Sequence, residues 1–409
     1  MWRVSRKTLN LGILAHVDAG KTTLTERLLY DSGVIDQLGA VDAGTTQTDS
    51  MPLERRRGIT IKSAVASFPI GDVAVNLIDT PGHPDFIAEV DRVLNVLDGV
   101  VLVISAVEGV QAQTRILMRS VQRLEIPALL FVNKIDRPGA NPEGALQDIA
   151  SRLKVTAFAM GCVTSAGTHG ASVTASGADD AEFKTGLTEL LAEHNDRLLA
   201  TYVQNEAGVP YDHLRAELAE QTRRGQVYPV FFGSAITGAG IAQLMADIAE
   251  LLATSDGDPD GPLSGTIFKI ERGSRAEKIA YVRMFSGTVH IRDRLQFGSG
   301  LDDKVTAVAV FERGPAVQRK AVSAGQIGML WGLAEAQIGD QIGETENDSG
   351  LQFPPPPWSP PSGPVIPATG IGCESHLASS PNRTHLSTCD KTTSGKRSTC
   401  RSTALSRKR

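Results

Sequence analysis

A run of nine residues combines the amino-acid types that bind phosphate groups. It reads Ala-His-Val-Asp-Ala-Gly-Lys-Thr-Thr at 15–23 and lies between a strand pattern and a helical pattern. Backbone N–H groups at such a helix start attract phosphate oxygens. We expect Lys21 to lie between the β- and γ-phosphates of a nucleotide, Thr22 to bind Mg²⁺ and Thr23 to reach the α-phosphate. Ala15 stands where the usual pattern has glycine, and an ordinary glycine-containing turn is the alternative. The predicted phosphate-binding residues are Asp18, Ala19, Gly20, Lys21, Thr22 and Thr23.

A second polar segment, Asp-Thr-Pro-Gly-His at 79–83, ends the next apolar strand pattern. The Asp79 carboxylate can hold Mg²⁺ through a water molecule, and the Gly82 N–H can contact the γ-phosphate. Both contacts change when that phosphate leaves, which is typical of a switch segment. A lone Asp-x-x-Gly pattern is weak evidence, but its place at a strand end after a phosphate loop makes it strong.

A third segment, Asn-Lys-Ile-Asp at 133–136, indicates the base that is bound. The Asp136 carboxylate can accept hydrogen bonds from both N1–H and the 2-amino group of guanine. Adenine offers no such pair of donors, so binding it would leave a buried charge unpaired. We expect Asn133 and Lys134 to belong to the same site. Backbone groups of Ser234 and Ala235, within Gly-Ser-Ala at 233–235, are predicted to contact guanine O6, although this tripeptide alone is uninformative.

Alternating strand and helix patterns position these segments. Apolar, β-branched runs predict strands at 9–14, 73–79, 100–105, 128–132 and 227–232. Helical patterns occur at 22–31, 85–97 and 111–124. This alternation predicts an α/β fold, a P-loop NTPase domain with a mostly parallel sheet covered by helices. The Ser/Gly/Ala-rich stretch 164–180 is predicted to be a surface loop.

Composition divides the rest of the chain. A turn-rich linker at 256–262 predicts the end of a first domain at 1–255, which contains the nucleotide-binding segments and an insertion at about 141–225. Short strand patterns then predict a small β-barrel domain at 262–347, with strands at 266–270, 278–285, 294–297, 304–311 and 327–333. Residues 351–409 hold nine of the 21 prolines and no apolar periodicity, which predicts a disordered tail.

The bulk composition excludes several classes of protein. With 409 residues, 41% of them hydrophobic and 21% charged, the chain is typical of a soluble protein of two or three domains. Its net charge of −5 argues against a simple basic nucleic-acid-binding protein. The longest apolar stretch, 94–107, is too short and too polar to cross a bilayer, so we expect a cytoplasmic protein without membrane contact. The four cysteines lack zinc-ligand spacing.

Together these segments resemble the translational GTPases of the elongation factor G group. Arg-Gly-Ile-Thr-Ile at 57–61 is similar to the first switch of that family, which implies that Thr60 closes over Mg²⁺ and the γ-phosphate. The resemblance also implies that His83 orients the attacking water once the ribosome engages, with Val17 and Ile59 keeping it away beforehand. A solvated loop residue is the alternative for His83. The implied catalytic residues are Lys21, Thr60 and His83, and the implied Mg²⁺ ligands are Thr22, Thr60 and Asp79.

Longer runs narrow the resemblance to the tetracycline-resistance ribosomal protection proteins. These runs are 16–29, 38–49, 53–61 and 104–117, and the resemblance extends from residue 8 to about 350. It implies a monomeric GTPase that the ribosome stimulates. The family's later effector domains are not recognisable here, and the tail has the composition of an out-of-frame product, so we expect a truncated chain. The alternatives are a translocation factor, a housekeeping paralogue and an inactive GTP-binding fragment.

Overall fold

The computed structural model describes residues 7–39, 64–80, 87–204, 209–252, 257–273, 276–298 and 300–343. All of them belong to one compact unit, Met1–Asp348. The predicted tail at 351–409 lies outside the described residues, so its disorder stays a prediction.

A seven-stranded sheet forms the centre of the first part of the chain, which we call the α/β part. The strands are β1 (Lys7–Ala15), β2 (Ala64–Ile70), β3 (Val73–Asp79), β4 (Gly99–Ser105), β5 (Ala128–Asn133), β6 (Ala157–Ala159) and β9 (Tyr228–Phe232). Their order is β2-β3-β1-β4-β5-β9-β6, and every neighbouring pair is parallel except β2 with β3. The predicted mostly parallel sheet is confirmed.

Eight helices are described in the α/β part. They are α1 (Lys21–Asp31), α2 (Ile87–Leu94), α3 (Ala112–Arg123), α4 (Pro142–Asp148), α5 (Ala181–Ala192), α6 (Asp196–Gln204), α7 (Tyr211–Arg223) and α8 (Ile241–Leu251). A π-helical turn, Ile149–Leu153, follows α4. The two faces of the sheet support separate apolar cores, because strands such as β4 are buried along their whole length.

The predicted surface loop at 164–180 is wrong in part. The strand β7 (Gly161–Thr164) pairs antiparallel with β8 (Ser172–Ala175), which lies inside that stretch. The cross-strand pair of Val163 and Val173 is half-buried and packs against an apolar core, while most of the other residues of the two strands are exposed. One valine in each short strand is too little apolar pattern for the sequence to reveal the pairing.

The second part of the chain, which we call the all-β part, contains an eight-stranded antiparallel sheet and a separate strand pair. The strands are β10 (Ser264–Arg272), β11 (Lys278–Ser286), β12 (Thr288–His290), β13 (Arg294–Phe297), β14 (Leu301–Lys304), β15 (Ala307–Phe311), β16 (Ala316–Arg319), β17 (Ala321–Ser323), β18 (Ile327–Trp331) and β19 (Gln341–Gly343). The order in the sheet is β14-β13-β19-β10-β11-β18-β15-β16, and the separate pair joins β12 to β17. The predicted single strand at 304–311 is wrong, because β14 ends at Lys304 and a new strand begins at Ala307.

An apolar cluster joins the two parts. Ile78, Val93 and Val96 from the α/β part pack with residues of β10, β11, β15 and β18, among them Phe268 and Tyr281. Beside this cluster, the Arg283 guanidinium donates to Asp98 Oδ1 at 3.0 Å. Arg283 is 1% exposed. The contact between the two parts is therefore both apolar and ionic.

In the part of the chain that the structure describes, no helix has the length and apolar character needed to cross a membrane.

Candidate nucleotide-binding site

The described residues of the predicted site segments lie at the carboxyl-terminal ends of the parallel strands of the seven-stranded sheet. They follow β1, β3, β5 and β9, which are parallel, so the carboxyl ends of these strands face the same way. The register pairs Asp79 with Ile13 and Ser105 with Asn133. The first strand lies between β3 and β4, and ligands of open α/β sheets bind outside the strand ends at such a switch in strand order.

The phosphate loop turns sharply between β1 and α1. Asp18 has φ 64° and Gly20 has φ 94°, and Gly20 is the residue before the first turn of α1. A Cβ on Gly20 would lie 2.3 Å from Asn133 Nδ2, so only glycine combines this backbone conformation with so close a contact. No side chain among the described residues caps the start of α1. Its first N–H groups are of the kind that bind phosphate.

The Lys21 ammonium contacts the Asp79 carboxylate beside this loop. The distance from Lys21 Nζ to Asp79 Oδ1 is 2.5 Å, and Thr25 Oγ1 donates to the same oxygen at 3.4 Å. Both Lys21 and Asp79 are buried. Thr22 and Thr23 are half-buried at the start of α1. Two of the predicted site residues, Lys21 and Asp79, are thus in direct contact, and their roles toward phosphate and Mg²⁺ stay predictions.

These residues fit a magnesium ion. The hydroxyl of Thr22 and the carboxylate of Asp79 are hard oxygen donors, and Mg²⁺ is commonly held by one or two such groups together with substrate phosphates and water. The Lys21 cation already lies against the Asp79 carboxylate and balances its negative charge. A metal ion bound at this carboxylate would balance the same charge.

Asn133 links the phosphate loop to the loop after β9. Its Nδ2 donates to the Ala19 carbonyl at 2.9 Å, and its Oδ1 accepts from the Ala235 N–H at 3.0 Å. The Ile135 N–H donates to the Gly233 carbonyl at 3.3 Å. The two segments that the sequence predicted for the base are therefore joined directly by hydrogen bonds.

The carboxylate of Asp136, predicted to bind the base, follows β5 in the same segment as Asn133. Its Oδ1 is buried and has no hydrogen-bond partner among the described residues. A buried acceptor without a partner costs free energy, so this oxygen favours a ligand that supplies a hydrogen-bond donor. Ser234 is buried, and its Oγ accepts from the Thr237 N–H at 3.1 Å, which shapes the adjoining loop.

Lys134 has the left-handed φ of 67°, and its ammonium lies 3.3 Å from Glu108 Oε1. Glu108 follows β4, the strand between β1 and β5. This ion pair ties the segment 133–136 to the loop after β4, a contact that the sequence did not predict.

Two further side chains, which no sequence pattern predicted, support the loops. His16 is buried, with Nδ1 3.1 Å from Thr114 Oγ1 on α3. Burial lowers the pKa of His16, which favours the neutral ring at neutral pH. Arg27 on α1 donates to the Ala235 carbonyl at 2.9 Å. Partners so far apart in the chain leave no local pattern in the sequence. The one available indication was the position of His16 inside the phosphate-loop pattern.

Several predicted site residues fall outside the described part of the chain. These are Thr60, Gly82 and His83, together with Ile59. Val17, the other member of the predicted apolar pair, is 36% exposed. The catalytic and switch roles of the first three residues stay predictions.

A mostly parallel sheet, a glycine-containing loop before α1, an aspartate at the end of β3 and another after β5 define a P-loop nucleotide-binding protein. Residues 6–254 match the family described as the elongation factor Tu GTP binding domain. The chain belongs to this family.

Curated relatives carry the names of resistance proteins. The chain is 52% identical over 358 residues to the oxytetracycline resistance protein of Streptomyces rimosus, which covers 85% of this chain and 54% of that protein. It is 45% identical to the tetracycline resistance protein TetM of Streptomyces lividans, over 86% of this chain and 55% of that protein. The predicted resemblance to tetracycline-resistance proteins is confirmed, and the chain spans about half the length of these relatives.

Solved structures support the same fold. A crystal structure of a Thermus thermophilus protein aligns with a TM-score of 0.73 at 25% identity. The alignment covers 84% of this chain and 55% of that one.

Proposed function

We propose that the chain is a GTPase that binds GTP with Mg²⁺ and hydrolyses it to GDP and phosphate. The observation that carries this proposal is the buried Oδ1 of Asp136, which has no partner among the described residues. Guanine supplies two donors, N1–H and the 2-amino group, to such a carboxylate. Adenine supplies neither in that arrangement, so its binding would leave the acceptor unpaired at a cost of about 1–3 kcal/mol or more.

The phosphates are proposed to bind at the start of α1. The N–H groups of the loop 18–23 would surround the β-phosphate, and the Lys21 ammonium would contact the β- and γ-phosphates. Thr22 and Asp79 would hold Mg²⁺, the latter through water, and the ion would neutralise charge on the phosphate oxygens. The observed contact between Lys21 and Asp79 supports this assignment, because both groups reach the same point beside the loop.

Hydrolysis is proposed to depend on positioning rather than on a covalent intermediate. By resemblance, His83 orients the attacking water, while Thr60 and the Gly82 N–H contact the γ-phosphate. Lys21 and the loop amides then stabilise the charge that develops on the phosphate oxygens.

The partner is proposed to be the ribosome, and the location the cytoplasm, with the chain acting as a monomer. This rests on the resemblance to ribosomal protection proteins and on the relatives' names, which assign tetracycline resistance to them. Because the chain spans about half of those relatives, tetracycline resistance itself is a separate proposal for this chain.

The division of the chain is proposed to follow function. Residues 1–255 would form the GTPase domain, with the insertion at about 141–225, and 262–347 a second domain. Separate apolar cores in the α/β part and the all-β part support this division.

The test measures equilibrium binding of GTP and ATP by the full chain, and then GTP turnover with and without ribosomes. We expect GTP to bind about 100-fold more tightly than ATP, since a charged acceptor loses its donors with adenine. Turnover should rise when ribosomes are added. Equal affinity for ATP and GTP would contradict the proposal. Tight GTP binding without ribosome-stimulated turnover would instead favour a GTP-binding fragment.

A further inference from the structure

Arg27 on α1 contacts the loop that follows β9, although it is not among the predicted site residues. Its Nε donates to the Ala235 carbonyl at 2.9 Å, and its Nη2 donates to the Ile236 carbonyl at 2.5 Å. The side chain is 11% exposed. Two neighbouring carbonyls are thus held by one planar guanidinium, whose fixed donors suit such a pair better than an ammonium does.

These contacts determine how the loop presents its backbone. The Ala235 N–H donates to Asn133 Oδ1 at 3.0 Å, so this residue is held at both its N–H and its carbonyl. A peptide unit is planar, so fixing the Ala235 carbonyl also fixes the direction of the Ile236 N–H. In the same way, the Ile236 carbonyl fixes the Thr237 N–H, which donates to Ser234 Oγ at 3.1 Å.

The guanidinium is itself held in place. Asp31 Oδ1 lies 3.6 Å from Nη1, and the ring of Tyr30 lies 5.7 Å from Cζ. On the loop side, a Cβ added to Gly238 would lie 3.5 Å from Nη1, so the second half of the loop packs against the same group. Arg27 therefore connects the helix that starts at the phosphate loop to the whole turn from Ala235 to Gly238.

We propose that Arg27 is a positioning residue for base recognition. It fixes the backbone of the turn from Ala235 to Gly238, which would donate a hydrogen bond to the 6-oxo group of guanine. This inference rests on the proposed GTP function. The helix α1 would then contribute to both halves of the nucleotide site. Its first residues would bind the phosphates, and Arg27 in its middle would align the loop after β9 for the base.

The experiment compares GDP with 6-thioguanosine diphosphate, which keeps N1–H and the 2-amino group but replaces the 6-oxygen with sulfur, a weaker acceptor. Arg27→Gln should weaken GDP binding by about tenfold, the value of roughly one hydrogen bond, and the thio analogue by less than about threefold. Arg27→Lys, which keeps the charge but not the planar pair of donors, should show the same change in the affinity ratio. Arg119→Gln, at an exposed position on α3, is the matched control and should leave the ratio unchanged.

A structural role alone would change both affinities equally and leave their ratio as in the parent. That outcome, or unchanged binding of both diphosphates, would overturn the inference. If Arg27→Gln does not fold, the ratio measured with Arg27→Lys decides in the same way. Failure of the parent chain to bind GDP would instead refute the proposed GTP function, so the two failures are distinguishable.

Discussion

At the scale of single residues, we propose that the choice of nucleotide depends on the carboxylate of Asp136. We expect Asp136→Asn to weaken GTP binding by about 100-fold, because the amide offers a donor where guanine also presents donors. Xanthosine triphosphate has a 2-oxo group in that place, so its affinity should rise. Competition binding measures both effects. Asp179→Asn, an exposed carboxylate in the loop before α5, is the control. A variant that still prefers GTP to the xanthine nucleotide would refute the assignment.

Thr22 allows metal binding to be separated from folding. The residue is half-buried at the start of α1, so Thr22→Ala should change the free energy of unfolding by only about 0.5 kcal/mol without ligand. It should remove most of the stabilisation that Mg²⁺–GTP gives, which is about 2.7 kcal/mol at a hundredfold excess over Kd. Thermal unfolding with and without Mg²⁺–GTP measures this. Thr185→Ala, at an exposed position on α5, should keep the full ligand effect. Full Mg²⁺-dependent stabilisation of Thr22→Ala would contradict the prediction.

The residues that the sequence predicts for the site are those whose chemistry fits a short local pattern. Lys21 and Asp136 follow a strand and Asp79 ends one, each within a recognisable segment. Their position at the carboxyl ends of the strands could therefore be inferred from parallel strands alone. Arg27 and His16 act through partners 208 and 98 residues away. No local pattern specifies such contacts, because they depend on how helices pack on the sheet.

At the scale of elements, α5 begins at a well-defined cap. The Asp180 side chain accepts from the Phe183 N–H at 3.0 Å. We expect Asp180→Ala to destabilise the chain by about 1 kcal/mol, since it leaves a helix-end N–H without its partner. Urea unfolding measures the difference. Asp179→Ala removes the neighbouring, exposed carboxylate and should cost far less. Equal costs would show that general charge, rather than the cap, is responsible.

The elements that the sequence predicts best are those buried on both faces. Strands β4 and β5 form continuous apolar runs, which are typical of a parallel sheet between helices. The strand β2 lies at the sheet edge and was not predicted, because only part of it is buried. In the all-β part, the boundary between β14 and β15 was missed because Val305, which is buried, continues the apolar pattern through the turn.

At the scale of the whole molecule, a buried polar chain crosses from the α/β part to the all-β part. Asn76 Nδ2 donates to Asn10 Oδ1 at 2.9 Å, and Asn10 Nδ2 donates to Asp98 Oδ2 at 2.7 Å. Asp98 then accepts from Arg283, whose Nη1 also donates to the Gly325 carbonyl. Burial raises the pKa of Asp98 and outweighs the opposing effects of Arg283 and Asn10.

Removing the cation from this chain should be costly and dependent on pH. Arg283→Met leaves Asp98 buried without its charge partner, and we expect a loss of about 3–5 kcal/mol at neutral pH. The folded-state pKa of Asp98 would then rise further above its unfolded value. Stability from such a group is present at low pH and is lost as the pH rises through the folded-state pKa. The deficit should therefore shrink as the pH is lowered from neutral toward the ordinary pKa of an aspartate, about 4.

Urea unfolding at a series of pH values measures this deficit. The control is Arg294→Met, which breaks an exposed pair with Asp302 and should cost less than about 1 kcal/mol at any of these pH values. A deficit for Arg283→Met that does not change with pH would show that lost packing, rather than the charge on Asp98, is responsible.

The backbone contact between β2 and the turn after β15 has a consequence for self-association. The Ser67 N–H donates to the Gly314 carbonyl at 3.3 Å, and the Gly314 N–H donates back at 2.5 Å. An uncovered edge strand is a template on which another chain can add and aggregate. Gly314 of the all-β part therefore covers part of the open edge of β2, in addition to the apolar contact between the two parts. Separating the two parts would open β2 to other chains, and time-dependent light scattering from Arg283→Met would report that loss of protection.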